Sequence, residues 1–204
     1  MIALVKKRGK GVKRFLSIVM ILTLVFSFSS CSSNSKESSK LTGSASEILD
    51  SVLEEAKKTV SLPAPLPPLE GEDSNLKITS DNCEHIIGLS SSDFDNYVSE
   101  AVVSQAAILT FAHEVILVKA KDTKSAVEVK KLAAEGYNPG KNICVFPDKC
   151  CVIDSGCYVL LVASSNESVD AVIAAFKTIA GNITGEADIF YEGTGDIGGE
   201  FVPK

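Results

Sequence analysis

Two apolar runs separated by three turn residues constrain the fold of this chain more than any other feature. Cys150-Cys151-Val152-Ile153 and Cys157-Tyr158-Val159-Leu160-Leu161-Val162 flank Asp154-Ser155-Gly156, a tight-turn sequence between two segments with strand character. The pattern predicts an antiparallel hairpin. Pairing Asp154 with Cys157 would set Val152 opposite Val159 and Cys150 opposite Leu161. After the hairpin, Val169, Val172, Ile173, Phe176, Ile179 and Ala180 recur at helical spacing. Ser165 or Asn166 is the expected cap and Gly181 the stop.

The same order occurs upstream. Residues 98–110 are mostly β-branched and small, Val115-Ile116-Leu117-Val118 is a continuous apolar run, and a turn is expected at Phe111 to His113. Over residues 123–135, Ala126, Val129 and Ala133 share a helical face with Leu132 beside them, and the pairs Lys124/Glu128 and Lys131/Glu135 stand four apart on the outside. Gly136 and Asn138-Pro139-Gly140 end that helix and open a loop to about Lys149. The reading is an α+β fold: an antiparallel sheet from two ββα units with helices on one face, preceded by a helical N-terminal segment.

In that segment Ser44 and Glu47 have capping-box spacing. Ile48, Val52, Ala56 and Val60, widened by Leu49 and Leu53, then make residues 45–60 an amphipathic helix. The run Pro63-Ala64-Pro65-Leu66-Pro67-Pro68 breaks it and reads as a stiff extended connection. A short strand at 76–79, a short helix at 83–87 and another from Ser91 or Ser92 through Tyr97 complete the elements. The expected organisation is a helix and proline linker at 45–75, an α+β domain at 76–181, and an acidic, glycine-rich tail at 182–204.

The first thirty residues stand apart. Lys6, Lys7, Arg8, Lys10, Lys13 and Arg14 precede the apolar stretch Phe15 to Phe28, and Phe28-Ser29-Ser30 leads into Cys31. Basic first and apolar second is the pattern of a secretory signal. Its fourteen residues, interrupted only by Ser17, Thr23 and Ser27, fall short of the ~20 a membrane-spanning helix requires. Small residues before Cys31 resemble a bacterial lipobox, with Phe28 where Leu is usual. That resemblance implies cleavage at Cys31 and attachment of a diacylglyceryl thioether, so residues 1–30 are assigned to a lipoprotein signal peptide and 31–44 to a flexible, serine-rich tether. Two acyl chains suffice for stable anchoring where one does not. Without the leader, 14 basic residues face 26 acidic ones, a net charge of −12. Such a body is repelled by phosphate backbones and anionic headgroups, which argues against nucleic acid as a partner and leaves membrane attachment to the lipid.

Over residues 83–180, the run Tyr97 to Ala120 with its following helix, Gly156-Cys157-Tyr158-Val159-Leu160-Leu161-Val162-Ala163-Ser164, and the Ala175-Phe176 helix resemble a domain-of-unknown-function family of clostridial and other Gram-positive secreted lipoproteins. The loop 137–149 departs from the longer polar helical stretch usual there. The resemblance implies a lipid-anchored, extracytoplasmic protein on the outer face of the cytoplasmic membrane, and brings no catalytic residues with it.

Besides Cys31 there are five cysteines, Cys83, Cys144, Cys150, Cys151 and Cys157, an odd number that leaves at least one thiol free in a monomer. The hairpin register disfavours a disulfide within it, and strand cysteines commonly serve as small buried hydrophobes. A metal or thiol-redox role is the sharper alternative, with Cys83-Glu84-His85, Cys150-Cys151 and His113 as soft ligands, though no Cys-x-x-Cys spacing supports it. His113 beside Glu114 reads as an exposed loop residue, since spacing supplies it with no serine or cysteine partner. Asp148 and Asp154 read as turn carboxylates with the option of facing one another across a cleft. No glycine loop precedes a helix in a phosphate-binding arrangement. The chain thus reads as a lipid-anchored binding or structural module with a cell-envelope protein partner; no cofactor is called for, and no catalytic constellation marks it as an enzyme. A thiol-dependent redox or metal-binding lipoprotein is the alternative, and a hydrolase is a third reading that rests only on the generic presence of Ser, His and Asp.

Overall fold

A computed structural model of the chain describes residues 39–67, 75–108, 110–141 and 145–193. Residues 1–38, with the leader and Cys31, lie outside the described residues, as do Cys144 and the end of the tail. In chain order the elements are α1 (Ala45–Ala56), β1 (Leu76–Lys77), α2 (Cys83–Ile86), α3 (Ser91–Tyr97), β2 (Val98–Gln105), β3 (Glu114–Ala120), α4 (Thr123–Gly136), β4 (Lys149–Ser155), β5 (Tyr158–Ser164), α5 (Asn166–Ile179) and β6 (Asp188–Glu192). The expected capping box closes the start of α1: the Ser44 hydroxyl accepts from the Glu47 backbone N–H at 3.2 Å and the Glu47 carboxylate accepts from the Ser44 N–H at 2.9 Å. Ser165 caps α5 by accepting from the Ser168 N–H, and Gly181 follows at φ 104, a conformation that suits glycine.

The six strands form one antiparallel sheet in the order β1-β2-β3-β5-β4-β6. The β4–β5 hairpin is present, but Ser155 pairs with Tyr158, Val152 with Leu161 and Cys150 with Ala163. The register is therefore shifted by two residues from the one the spacing implied. Gly156 explains it: at φ 62 it takes the first central position of a two-residue turn, where a II′ geometry calls for glycine.

Helices cover both faces of the sheet, which corrects the expectation of one. α1 and α5 pack on the face carrying Val115, Leu117, Ile153, Leu160 and Val162. α4, with α2, packs on the face carrying Ile116, Val118, Val152, Val159 and Leu161. The topology requires this. The connections β3–α4–β4 and β5–α5–β6 each step two places in the same direction across the sheet, but β3 and β5 run antiparallel. Two crossovers of one hand starting from opposed strands must use opposite faces, and right-handed crossovers are the strongly preferred hand. Continuous apolar runs such as Val115 to Val118 follow directly, because strands buried on both sides do not alternate.

Three further boundaries move. α1 is no separate N-terminal element: Leu49 and Val52 are fully buried in one cluster with Val172 and Phe176 of α5, each such side chain contributing about 1.5–3 kcal/mol. The end of the expected tether is docked as well. Leu41 is buried, the Lys40 N–H donates to Ala180 O at 3.1 Å, and Gly43 O accepts from Tyr158 Oη at 2.8 Å and Lys119 Nζ at 2.6 Å. Finally, residues 188–192 of the expected tail form the edge strand β6 against β4. Lys130 of α4 fastens it by pairing with both Asp188 and Asp154 at 2.9 Å. The proline stretch runs beside the end of β2, with Pro65 bridged to Ala106.

These placements give the domain two distinct ends. Ser39 to Gly43 enter at the end where β3 and β4 finish and β5 begins, beside Gly156, Tyr158 and Lys119. The residues Glu114, Lys149 and Ser164 mark the opposite end of the same strands, roughly 20 Å away for seven residues of strand.

Candidate functional site

The polar chemistry of the interior gathers at that second end, on both faces of the sheet. Glu114 opens β3 opposite Ala163. By strand alternation its side chain points to the α4 face and that of His113 to the α5 face. The two neighbours therefore enter different environments.

On the α4 face the Glu114 carboxylate is buried and receives three donors. Gln105 Nε2 reaches Oε1 at 3.0 Å, while Tyr137 Oη and Lys141 Nζ reach Oε2 at 2.9 and 2.6 Å. Lys141 also donates to Ile86 O at 2.9 Å and stands 4.5 Å over the Tyr137 ring. Burial, with Glu114 beside it, pushes the Tyr137 hydroxyl well above its ordinary range. The acceptors of one carboxylate are saturated by one cation and two neutral donors in a closed space, so this cluster fastens the loop after α4 to β2 and β3.

On the α5 face the arrangement is open. The β3–β5 register brings His113 opposite Ser164, and His113 Nδ1 lies 2.8 Å from Ser164 Oγ. His113 is 4% exposed and Ser164 2%, so the expectation of a solvent-facing histidine without a serine partner is overturned. The cause is the β3–β5 pairing, which joins residues fifty-one apart in sequence and leaves no local spacing signal. Burial lowers the His113 pKa to about 4, against a smaller opposing effect of Glu114, so the imidazole is neutral at pH 7. Above the pair lies a half-open cleft of about 200 Å³. Phe111, Phe146, Pro63 and Pro147 form its apolar walls, and Thr110, Ser165 and Asp148 supply polar groups at its border.

A serine hydroxyl on an imidazole is the beginning of a nucleophilic pair. Two features weigh against that chemistry. Glu114, the adjacent carboxylate, faces the other side of the sheet and is taken up by its three donors, so it does not orient the ring. Burial also depresses the basicity a general base needs. The arrangement is suited to holding a polar group by hydrogen bonds.

The cysteines fall elsewhere. Adjacent strand residues point to opposite faces, and Cys150 joins the α4-side core while Cys151 joins the α5-side core. One ion cannot be held by both. Cys83 is buried and donates to Leu89 O at 3.3 Å. Burial pushes all three thiols up, Cys151 to about 11, which keeps them protonated and poorly nucleophilic. Cys157 is disulfide-bonded, so the buried-thiol reading holds for Cys83, Cys150 and Cys151 and not for Cys157. Among the described residues no group of three or more His, Cys, Asp or Glu side chains could hold a metal ion. Asp148 borders the cleft, whereas Asp154 sits at the far end of β4 in its ion pair with Lys130, so the two do not face one another. Among the described residues no helix is long and apolar enough to cross a membrane. Cys31, the expected lipidation site, lies outside the described residues. No family model, curated protein or solved structure matches the chain.

Proposed function

We propose that this chain is an exported lipoprotein, held on the outer face of the cytoplasmic membrane through acylated Cys31, whose folded domain is a binding module for a partner in the cell envelope. The observation that carries the anchor is the sequence around Cys31: six cations, a largely apolar stretch of fourteen residues, two serines, the cysteine, and then a serine-rich spacer. A body of net charge −12 after cleavage has no electrostatic route to an anionic membrane, which makes the lipid the attachment. On this reading the clostridial lipoprotein family is the natural home of the chain, and its two ββα units are a repeated pattern placed on opposite faces of one sheet.

The domain's two ends support the binding half of the proposal. The spacer joins at Ser39 to Gly43, so an anchor at Cys31 is eight residues from the docked chain, a reach of at most ~28 Å. The cleft over His113 and Ser164 stands at the other end of the strands, clear of the point where the spacer joins. The thiol-redox and metal alternative has less support, because the three described free thiols are buried, protonated and divided between two cores.

Expression of the full chain in a Gram-positive host with an alkyne-labelled fatty acid tests the anchor. Label should appear on the chain, the protein should be degraded by protease added to intact protoplasts, and Cys31→Ala should abolish labelling. Unchanged labelling of Cys31→Ala, or protection from protease, refutes it.

A further inference from the structure

We propose that the cleft over His113 and Ser164 binds a neutral polyhydroxylated ligand, one sugar ring of a glycan. This rests on the reading of the domain as a binding module and names the chemistry of what it binds. The cleft combines flat apolar walls with short neutral hydrogen-bonding groups. Phe111 and Phe146, with Pro63 and Pro147, line it with apolar surface for the C–H groups of a sugar. The hydroxyls of Thr110 and Ser164 and the imidazole of His113 both donate and accept, which matches the edge of a sugar ring, where each hydroxyl does the same; the Ser165 hydroxyl is taken up in the cap of α5.

Other ligand classes fit less well. Among the described residues no Lys or Arg lines the cleft, its histidine is neutral at pH 7, and its one charged group is the Asp148 carboxylate. An anion would meet repulsion and no counter-charge. A wholly apolar ligand would strip water from the Thr110 hydroxyl and Asp148 without replacing their hydrogen bonds, which is costly. A cation would meet one exposed carboxylate, an attraction largely screened by water and salt. A volume of about 200 Å³ lies below the range of drug-sized pockets and is on the scale of a single ring. The open side lets a longer chain continue outward, where Phe111 and Ile108, 57% and 58% exposed, extend the apolar surface.

The test uses the full acylated chain in detergent micelles, with saturation-transfer NMR and calorimetry against neutral tetrasaccharides of N-acetylglucosamine, glucose and mannose. The cationic glucosamine tetramer and the anionic galacturonate tetramer are the controls. At least one neutral tetramer should bind, and Phe111→Ala should weaken it by about fivefold, in line with the contribution of an aromatic contact. Phe111 is largely exposed, so this variant keeps the fold, and an unchanged circular dichroism spectrum verifies it. Ser164→Ala should weaken binding further by removing a buried hydroxyl. Binding of no neutral tetramer, binding of a charged tetramer alone, or affinity unaffected by both Phe111→Ala and Phe146→Ala overturns the proposal. Cys31→Ala protein measured alongside should bind equally well, which separates failure of the cleft from failure of the anchor.

Discussion

Glu114→Gln should be among the most damaging isosteric substitutions in this domain. The native carboxylate is an acceptor at both oxygens, taking Gln105 on Oε1 and Tyr137 and Lys141 on Oε2. An amide of the same shape has one acceptor oxygen and one donor nitrogen, so Gln105 must turn its own amide over to accept where it had donated. The charge of Lys141, whose side chain is 4% exposed, also loses its counter-ion in a site where water cannot replace it. Breaking a buried pair from one side typically costs about 3–5 kcal/mol. For a body of this size that is a fall in Tm on the order of 10 °C. Urea unfolding at pH 7 of the parent, Glu114→Gln, Lys141→Met and the double variant measures it. The double variant should be more stable than the sum of the single effects by about 1–3 kcal/mol, because removing the cation removes the uncompensated charge. A Glu114→Gln loss below about 1 kcal/mol, or strictly additive single effects, would refute the assignment of this cluster as a tightly coupled buried network.

The other predictions concern His113, Gly88 and the thiols. His113 has a folded pKa near 4 against an ordinary value of 6.5, so below pH 6.5 the unfolded chain takes up a proton that the folded chain refuses. Stability from this group is fully present above pH 6.5 and declines by about 3 kcal/mol as the pH falls toward 4; denaturant titrations across that range should show a shallower decline in His113→Gln, and an identical one would contradict the burial. A Cβ on Gly88, at φ 85, would lie 2.1 Å from the carbonyl carbon of Gly136, so Gly88→Ala should cost at least about 2 kcal/mol, read from the midpoint of thermal unfolding. Cys83, Cys150 and Cys151 should resist a thiol reagent until denaturant is added, and rapid labelling of any of them in the native protein would reopen the redox reading.

Much of the fold was legible because it is encoded locally. Val169, Val172, Ile173 and Phe176 declare a helix by their spacing, Ser44 and Glu47 declare its start in α1, and Val115 to Val118 declares a strand. What was not legible depends on pairings between distant segments. The choice of face for α4 and α5 follows from the relative direction of β3 and β5, which no local pattern states. β6 is short, acidic at both ends and half exposed, so Asp188 to Glu192 resembles a tail until β4 supplies a partner. The hairpin register turned on whether Gly156 takes the first or the second central position of the turn, a matter of backbone handedness rather than hydrophobicity. The candidate site was the least visible part. His113 acquires its meaning only from Ser164, and the cleft walls come from three separate connections around Pro63, Phe111 and Phe146.

The packing of α1 against α5 bears on when this protein can fold. A chain delivered from its N-terminus presents α1 first, with Ile48, Leu49 and Val52 exposed and nothing yet formed to receive them. Its sheet partner β3 arrives later, β3 must wait for β5 on its other side, and Phe176 comes later still. Every incomplete length of the domain therefore carries a naked apolar helix face or an open strand edge, with no shorter fragment that closes the core. Such a chain acquires its native structure only once nearly the whole domain has emerged, and until then it stays unfolded and open to attack by a quality-control protease.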